Sequence, residues 1–359
     1  MKVLFITNIP VPYRIEFFEK LGMYVDLTVI FEAKSVEGIT FNYNYDFKNF
    51  KGVFLSNDNI KEKSFDFKIL KYIKKDYDYI YATNYSCFTE LLAIVKMKIF
   101  KIPYILEIDG VILHEESKLK KAFKKYIING ATEYFSPSKL SDQYLQQYIG
   151  MDKKIIRYPF TSLNKNDVLL NQKTHHNRIK EELNVGNKKV ILYVGQFIKR
   201  KGIDLLLEAI ENMDNIFLIM IGAMSLQKEY VNNLHLDNYN NIHCIDFLTK
   251  DELNEYYAVS DLFVLPSREE SWGLVVNEAM SFGIPVVTCN KCTAGIEMIS
   301  PGVNGYIAKA NNSIDLQNKI QQALLLDQKL VREYNYKLIK HYTIESMVEE
   351  HLKYMRITK

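Results

Sequence analysis

The stretch from Pro266 to Val287 constrains the fold of this chain more than any other part of its sequence. It reads PSREESWGLVVNEAMSFGIPVV and follows an apolar run at residues 262–265 that has the length of a strand. Beyond PSREE, apolar side chains recur at helical spacing, at Leu274, Val275, Ala279 and Phe282. Gly283 stands where the helix would end, and a β-branched run follows Pro285. The order strand, loop, helix, strand predicts an α/β domain with a parallel sheet.

Two carboxylates, Glu270 and Glu278, flank the predicted helix start with seven residues between them. A helix that begins near Ser271 to Gly273 presents free backbone N–H groups, and its dipole favours an anion by about 0.3–1 kcal/mol. Gly273 would let a ligand approach the backbone without a Cβ in the way. A carboxylate on each side of a phosphate site suits the sugar, diphosphate and ribose of a nucleotide sugar. Taken alone, the two glutamates fit better as solvated charges around an amphipathic helix, and only the surrounding pattern favours the ligand site.

The whole pattern resembles the signature of the family 4 retaining glycosyltransferases of GT-B fold, within glycosyl transferases group 1. The positions that match are Pro266, Ser267, Glu270, Trp272, Gly273, Leu274, Glu278, Ala279, Gly283, Pro285 and Val286. The resemblance implies that Glu270 contacts the donor sugar and Glu278 the ribose. It also implies that the backbone from Trp272 to Val275 holds the diphosphate.

A second stretch, GQFIKRKGIDLLLEAI, begins at Gly195 and resembles the family motif G-R-x-x-x-x-K-G followed by a helix. Lys201 occupies the lysine position, where a cation would stabilise the leaving nucleoside diphosphate. Gln196 stands where arginine is frequent, and Arg200 could compensate for it. Leu248 lies in a segment where relatives hold the nucleotide base. The expected donor-binding residues are Gln196, Arg200, Lys201, Leu248, Glu270, Ser271, Trp272, Gly273, Leu274, Val275 and Glu278.

The first residues open like a doubly wound α/β domain, with a buried strand at 3–7, a proline-containing loop and a helix from about Ile15 to Leu21. Pro10 and Pro12 stand where many relatives carry glycines, so direct phosphate binding there is not expected. Tyr13 and Arg14 are candidates for contact with the acceptor. A role in capping the helix is the equally weighted alternative for both.

A strand ending in Glu107 and followed by Asp109 carries the remaining candidates of this half. Many members of the family have a histidine where this sequence has Asp109, and His114 follows five residues later. Ligands collect at the carboxyl ends of strands in open α/β sheets, so we expect one of these three side chains to contact the donor sugar or the acceptor hydroxyl. A turn or capping role for Asp109 is the alternative. The predicted catalytic residues are therefore Glu270, Lys201 and Asp109.

The resemblance implies a GT-B fold, in which two Rossmann-like doubly wound α/β domains face each other across a cleft. It also implies a C-terminal helix that crosses back to the first domain. We place the acceptor-binding domain at residues 1–165, the nucleotide-sugar-binding domain at 166–340 and the returning helix at 341–359. The 359 residues are enough for two such domains.

Two cationic stretches, Lys96–Lys101 and Lys118–Lys125, predict contact with an anionic membrane surface. A solvated outer helix face is the alternative explanation. No run of about 18 apolar residues occurs, so a membrane-spanning helix is not predicted. We expect a cytoplasmic protein, with peripheral binding to the inner face of the plasma membrane if the cationic stretches act in this way.

Other features argue against metal, cofactor and nucleic-acid binding. Cys289 and Cys292 have C-x-x-C spacing without a second Cys or His pair, and His175 and His176 have no further ligand nearby. No D-x-D-like acidic site ends a strand, so neither a metal ion nor a cofactor is expected beside the nucleotide-sugar substrate. The net charge of +3 argues against binding of nucleic acid.

The sequence thus predicts a retaining hexosyltransferase that uses a nucleoside-diphosphate sugar, with a glycan or lipid-linked glycan as acceptor, in bacterial surface polysaccharide synthesis. A nucleotide-sugar epimerase of the same architecture is one alternative. A nucleotide-sugar-binding protein with weakened catalysis is another, because Gln196 and Asp109 depart from the family pattern. A dinucleotide-dependent oxidoreductase is disfavoured, since no G-x-G-x-x-G follows the first strand of either domain.

Overall fold

The computed structural model describes residues 1–36, 46–56, 59–60, 66–85, 87–114, 116–172, 178–224 and 227–357. The chain forms two compact units: unit 1 contains Met1–Phe160 together with Ile344–Lys359, and unit 2 contains Thr161–Thr343. From the sequence, these divisions are expected after residues 165 and 340. The pair His175–His176 lies outside the described residues.

Unit 1 is built on a seven-stranded parallel sheet with the order β4-β2-β1-β6-β7-β8-β9, while β3 and β5 pair separately. Its strands are β1 (Lys2–Thr7), β2 (Asp26–Phe31), β3 (Ser35–Val36), β4 (Lys51–Phe54), β5 (Asn59–Ile60), β6 (Tyr79–Ala82), β7 (Ile105–Glu107), β8 (Glu133–Ser136) and β9 (Ile155–Arg157). Its first helices are α1 (Pro12–Gly22), α2 (Phe88–Ile99), α3 (Lys118–Ile128) and α4 (Lys139–Gln146), with a 3₁₀ helix at Phe67–Lys71. Apolar runs such as VLFI in β1 are buried because helices cover both faces of a parallel sheet.

Unit 2 has a six-stranded parallel sheet with the order β12-β11-β10-β13-β14-β15. Its strands are β10 (Lys189–Val194), β11 (Ile216–Ile221), β12 (Ile242–Ile245), β13 (Leu262–Leu265), β14 (Val286–Cys289) and β15 (Gly305–Ala308). Its helices are α5 (Lys165–Asn171), α6 (Arg178–Glu182), α7 (Ile203–Ile210), α8 (Lys228–Asn232), α9 (Lys250–Val259), α10 (Leu274–Ser281), α11 (Thr293–Met298), α12 (Ser313–Leu324) and α13 (Gln328–Ile339). Short 3₁₀ helices lie at Lys199–Lys201 and Leu236–Asn238. Counted within the unit, the strand order is 3-2-1-4-5-6, that of a Rossmann fold.

The last helix, α14 (Ile344–Ile357), belongs to unit 1 and packs against α1. The hydroxyl of Tyr79 in β6 donates to the carbonyl oxygen of Met355 at 3.1 Å, and the side chain of His351 is fully buried. The two parallel sheets with their helices, and a final helix packed on the first of them, confirm the predicted fold class.

In each sheet the strand order reverses beside the first strand, and ligands bind at the carboxyl ends of strands at such a point. In unit 2 the reversal lies between β10 and β13, so the loop at 195–202 and the loop at 266–273 face each other. In unit 1 it lies between β1 and β6. The topology therefore gathers the candidate residues of each unit at one edge of its sheet.

The first helix begins earlier than predicted, and α2 contains part of a cationic stretch. The first helix begins at Pro12 rather than near Ile15, because proline has no N–H to leave unpaired and fits the first helical position. Helix α2 runs on to Ile99, so the cationic stretch Lys96–Lys101 begins inside this helix and ends beyond it. Among helices of the described residues, none has both the length and the apolar composition needed to cross a bilayer.

Candidate active site

In unit 2, Lys201 and Glu270 meet at the point where the strand order reverses. The ammonium group of Lys201 donates to Oε2 of Glu270, and the Ser267 hydroxyl donates to the same oxygen at 3.3 Å. The guanidinium of Arg200 lies 3.7 Å from that oxygen. Gly202 adopts φ +72°, and a Cβ there would stand 2.3 Å from the Pro266 carbonyl oxygen, so only glycine allows the two loops to come this close.

Further polar contacts fasten these two loops to each other. The guanidinium of Arg268 binds both carboxylate oxygens of Asp204, at 2.8 and 2.7 Å, and also donates to the Lys199 carbonyl oxygen at 2.7 Å. Arg200 donates to the carbonyl oxygen of Glu269 at 2.8 Å. A two-pronged guanidinium–carboxylate contact fixes orientation as well as distance, so the loops present Lys201 in a defined place.

A third segment, residues 291–294, supports the loop that carries Glu270. The Glu270 N–H donates to the Lys291 carbonyl oxygen at 2.9 Å, and the Glu270 carbonyl oxygen accepts from the Thr293 N–H at 3.3 Å. The Trp272 carbonyl oxygen accepts from the Ala294 N–H at 2.9 Å. The loop is thereby held like a short strand, which limits the positions open to the Glu270 carboxylate.

Cys292 closes the rear of this loop. Its thiol donates to the Trp272 carbonyl oxygen at 3.2 Å, and a Cβ on Gly273 would lie 3.1 Å from its sulfur. Burial raises the pKa of Cys292 to about 12, and burial likewise raises the pKa of Cys289 to about 12. Both are free thiols that stay protonated at neutral pH, so the C-x-x-C pair belongs to the packing of the loop.

Helix α10 begins immediately after Gly273, which adopts φ +103°. The N–H groups of Gly273, Leu274 and Val275 find no acceptor among the described residues, as is usual in the first turn of a helix. The indole of Trp272 is buried and donates to Oδ1 of Asn277 at 2.9 Å. Trp272 therefore offers only its backbone to a ligand, whereas Ser271 is exposed.

Glu278 lies on α10, half-buried, with both carboxylate oxygens in contact with hydroxyl groups. Oε1 accepts from Ser162 at 2.8 Å and Oε2 accepts from the Tyr257 phenol at 3.1 Å. Burial raises the pKa of Glu278, and these two hydrogen bonds offset only part of the rise. The two hydroxyls orient a carboxylate that keeps further lone pairs for a ligand.

The remaining donor-side candidates of unit 2 are half-buried. The backbone carbonyl oxygen of Gln196 accepts from the Tyr193 phenol at 2.9 Å. Leu248 follows the carboxyl end of β12, next to Phe247, whose ring is 81% exposed. Their roles in donor binding stay predictions.

In unit 1, Asp109 follows β7 and is held by three side chains. Oδ1 binds the Arg14 guanidinium and also accepts from the Tyr158 phenol at 3.1 Å, while the Tyr13 phenol lies 3.5 Å from Oδ2. About a third of the Asp109 side chain, 35%, is accessible. The protein packed around the carboxylate nevertheless raises its pKa, and Arg14 lowers it only in part.

Glu107 and Arg14 are candidates for acceptor contact from the sequence, but both side chains are buried inside unit 1. Glu107 is fully buried: Oε1 accepts from Arg14 at 2.6 Å, and Oε2 lies 2.9 Å from Nε2 of His351. Burial alone would raise the pKa of Glu107, but the charges of Arg14 and His351 outweigh it and lower the pKa to about 2. Both oxygens of Glu107 are occupied, so this carboxylate serves the interior of the unit.

Tyr13 and Arg14 do not cap α1 either. The capping residue is Val11, and no side chain closes the helix start. Tyr13 stays at the edge of the sheet, with its ring edge-on to Phe160 at 5.5 Å between centroids. His114 is exposed. Tyr13, Asp109 and His114 therefore remain acceptor-side candidates.

Sequence reasoning missed several residues that shape these sites, notably Arg268, Asp204, Cys292, Tyr158 and His351. Arg268 stands inside the matched motif at a position where the family pattern is not specific. The C-x-x-C spacing of Cys292 raises only the question of a metal site. His351 lies on the apolar face of the last helix. A histidine among the apolar positions of an amphipathic helix is the one sequence signal that points to it.

Comparison with known proteins shows what this chain is similar to. The model described as Glycosyl transferases group 1 matches residues 175–341, which confirms the predicted resemblance. An uncharacterized glycosyltransferase of Methanocaldococcus jannaschii is 28% identical over 234 residues, which make up 65% of this chain and 61% of the relative. The O-antigen biosynthesis glycosyltransferase WclY of Escherichia coli is 31% identical over 156 residues, which make up 43% of this chain and 42% of the relative. The chain thus spans less than two thirds of the length of these two relatives.

Solved structures share the fold over the whole chain. A glycosyltransferase from Rickettsia africae has a TM-score of 0.78 at 17% identity and covers 99% of this chain and 98% of its own. HepE of Anabaena, in complex with UDP and glucose, has a TM-score of 0.71 at 16% identity and covers 99% of this chain and 100% of its own. At such identities the likeness shows the fold alone, and it confirms the GT-B class.

Proposed function

We propose, from the premise that residues 175–341 belong to glycosyl transferases group 1, that this protein is a retaining glycosyltransferase. It would move a sugar from a nucleoside-diphosphate sugar to a hydroxyl of a glycan or lipid-linked glycan. The observation that carries the proposal is the meeting of Lys201 and Glu270 beside the unpaired N–H groups that begin α10. A cation, a carboxylate and free N–H groups at one sheet edge match the parts of such a donor.

Each part of the donor would contact a different group of the site. The first N–H groups of α10, with Lys201 and Arg200, would bind the diphosphate, because aligned backbone dipoles and fixed cations favour an anion. Glu270 would accept hydrogen bonds from the sugar hydroxyls once phosphate competes for the ammonium of Lys201. Glu278, oriented by its two hydroxyl partners, would accept from the ribose.

The chemistry we propose proceeds on one face of the sugar. The bond between the anomeric carbon and the donor phosphate oxygen breaks, and the acceptor oxygen bonds to the same face of that carbon. The acceptor proton passes to the departing phosphate oxygen, so that the products are a glycoside and a nucleoside diphosphate. Lys201 and the start of α10 would stabilise the charge that grows on the phosphate. With these fixed charges at the leaving group, we propose that transfer needs neither a metal ion nor a cofactor.

On the acceptor side, Asp109 and Tyr13 are the proposed contacts in unit 1, because both reach the accessible edge of the sheet. A bacterial surface glycan is the proposed acceptor class. This choice draws support from the similarity to WclY, whose name assigns it to O-antigen biosynthesis. A partly exposed carboxylate held by a phenol and a guanidinium is suited to orient a sugar hydroxyl.

The direct test is a screen of nucleoside diphosphates and their sugars by thermal shift, followed by transfer assays. UDP-glucose is a reasonable first donor, because the structurally similar HepE has been solved in complex with UDP and glucose. A ligand at 100 times its dissociation constant adds about 2.7 kcal/mol to the free energy of unfolding. Release of nucleoside diphosphate together with a glycoside that keeps the anomeric configuration of the donor is the expected result. Isomerised sugar formed without acceptor would instead identify an epimerase, and binding without turnover would identify a binding protein.

We also propose that unit 1 binds an anionic membrane surface through α3. Three apolar side chains of this helix, Leu119, Phe123 and Tyr126, are 86, 55 and 54% exposed. Around them stand four lysines whose ammonium groups have neither a hydrogen bond nor an ion pair within the described residues, namely Lys118, Lys120, Lys121 and Lys125. Apolar side chains surrounded by cations suit the headgroup region of an anionic leaflet, where each lysine adds about 1 kcal/mol.

Fewer lysines are available for membrane contact than the two cationic stretches contain. Lys96 donates to the Leu70 carbonyl oxygen at 2.5 Å, Lys98 contacts the Tyr126 backbone and ring, and Lys124 pairs with Glu116. These three ammonium groups are used within unit 1. The proposed membrane contact therefore consists of the exposed face of α3 and the exposed Ile99, Phe100 and Lys101 at the end of α2.

A further inference from the structure

Four charged side chains form a continuous chain through unit 1, from the last helix to the edge of the sheet. His351 of α14 contacts Glu107 of β7 at 2.9 Å, and Glu107 contacts Arg14 of α1 at 2.6 Å. Arg14 in turn holds Asp109, the only member of the four that is accessible. The chain thus joins the interior of the unit to the carboxylate proposed to contact the acceptor.

The geometry assigns a proton to each ring nitrogen of His351. Nδ1 lies 2.7 Å from the carbonyl oxygen of Met347, which can only accept, so Nδ1 carries a hydrogen. Nε2 faces Oε2 of Glu107, whose other oxygen accepts from the always-charged Arg14 guanidinium at 2.6 Å, so Glu107 is held as a carboxylate. An ionised carboxylate also only accepts, so Nε2 donates as well. His351 is therefore an imidazolium with no accessible surface.

Aromatic rings surround this cation and fix its orientation. Ring centroids within 6.2 Å of the His351 centroid belong to Phe5, Phe17, Tyr81, Phe135 and Tyr158. Burial raises the pKa of Tyr81 and of Tyr158, so both phenols stay neutral. Among the described groups packed around the ring, Glu107 is the one that carries charge, with Arg14 on its far side. A packed aromatic surrounding leaves the imidazolium little freedom to rotate.

We infer that His351 is a positioning residue for Asp109, acting through Glu107 and Arg14. This inference rests on the proposed function only in giving Asp109 an acceptor-side role. The imidazolium occupies Oε2 of Glu107, which leaves Oε1 for one arm of the Arg14 guanidinium and the other arm for Asp109. Without the imidazolium, Oε2 of Glu107 would lose its hydrogen-bond partner. The Arg14 guanidinium would then turn to bind both oxygens of Glu107. Asp109 would then lose the cation that holds it.

The test measures Asp109 directly and needs no substrate. The pKa of Asp109 is followed by NMR of the ¹³C-labelled aspartate carboxyl, assigned with Asp109→Asn, in the wild type, His351→Gln, His351→Phe and His341→Gln. Loss of the Arg14 contact should raise the pKa of Asp109 by about 0.5 or more in His351→Phe. His351→Gln keeps one donor toward Glu107 and should give a smaller rise. His341→Gln makes the same exchange at an exposed histidine and should give none.

A purely structural role for His351 would leave the pKa of Asp109 unchanged in both variants, and that result would overturn the inference. If His351→Phe does not fold, His351→Gln decides the question on its own, since an unchanged Asp109 pKa there has the same meaning. ¹⁵N spectra of the histidine rings give a second reading, because an unprotonated nitrogen on His351 at neutral pH would remove the imidazolium. Both measurements hold whether or not any nucleotide sugar is turned over, so failure of the proposed function is seen separately, in the transfer assay.

Discussion

Lys201 and Glu270 form an ion pair across two loops that are 69 residues apart in sequence. Each side chain is nearly buried, and both belong to the edge where the strand order of unit 2 reverses. Within the protein, each charge of the pair is balanced by the other. A donor diphosphate would offer Lys201 a second anion, and the sugar hydroxyls would offer Glu270 new donors. Under the proposed function, the pair is a preformed site whose two charges a bound nucleotide sugar would separate.

Replacing either partner should remove transfer while the fold survives. In Lys201→Ala the leaving phosphate loses its cation, and we expect turnover to fall by about 10²–10³, as after removal of one charge-stabilising donor. Glu270→Ala should abolish detectable transfer because the sugar loses its orienting carboxylate. Steady-state rates and circular dichroism would be measured together. Lys199→Ala removes an exposed ammonium group from the same loop and serves as the control. Near-wild-type turnover in Lys201→Ala or Glu270→Ala would remove the assignment of the site.

Chelation should leave transfer unchanged. The proposed leaving-group charge is met by Lys201, Arg200 and the start of α10, so EDTA removes nothing that the reaction uses. The measurement is the initial rate before and after EDTA, with Mg²⁺ and Mn²⁺ added back. A loss with EDTA that either ion restores would contradict metal-independent transfer.

Glu90 should make the free energy of unfolding depend on pH. It is 1% exposed, and neither carboxylate oxygen has a hydrogen-bond partner among the described residues. Burial, with Glu32 and Asp109 nearby, raises the pKa of Glu90 well above its ordinary value. The folded protein thus holds this proton more tightly than the unfolded chain, and stability falls as pH rises above the unfolded pKa of about 4.3.

The Glu90→Gln variant has no carboxyl group to titrate at this position. Its Tm relative to that of wild type should therefore increase as pH rises. We expect the gain to be larger at pH 8 than at pH 5 by about 2–4 °C, the shift that 1 kcal/mol produces in a domain of this size. Calorimetry at the two pH values measures it. The exposed Glu208 of α7 gives the matched control Glu208→Gln, with no such dependence expected. Equal Tm differences at both pH values would mean that Glu90 is ionised without penalty.

Charge reversal on α3 should abolish membrane binding. The variant carries glutamate at Lys118, Lys120, Lys121 and Lys125, and we expect it to remain in solution when wild type sediments with vesicles containing phosphatidylglycerol. The attraction depends on lipid charge, so wild type should not sediment with phosphatidylcholine alone.

The control for this variant reverses four exposed lysines of unit 2, Lys228, Lys309, Lys329 and Lys340. It makes the same change in net charge and should bind as wild type does. Equal loss in both variants would show that net charge, not α3, governs binding. Leu119→Ser with Phe123→Ser then measures the apolar share. If wild type does not sediment with vesicles that contain anionic lipid, the proposed membrane binding is wrong.

The sequence was most informative where function depends on local spacing. Glu270, Gly273 and the helix after them lie within one stretch, and the period of the apolar residues predicted that helix almost to the residue. Lys201 could be placed beside Glu270 because parallel strands bring their carboxyl ends to one edge. Contacts between distant parts of the chain could not be derived in this way. His351 and Glu107 are 244 residues apart, and no pattern of spacing relates them.

The direction of the Arg14 side chain could not be predicted from the sequence either. A charged side chain in the first turn of a surface helix is expected to face solvent. Arg14 instead points inward, because it forms ion pairs with Glu107 and Asp109 there. Its direction follows from carboxylates on another element, which local sequence does not reveal. The lysines of α2 and α3 are a related case, since only the packed structure shows which ammonium groups are used internally.

The position of α14 bears on how the molecule is made. Unit 2 is one continuous segment, so all of it has been synthesised before the ribosome reaches α14, and it can fold as the chain grows. Unit 1 cannot close at that stage, because Glu107 still lacks His351 and the surface of α1 that α14 covers is bare. The part of the chain made first is thus completed last. The surfaces of unit 1 that α14 covers therefore stay open until α14 has been made.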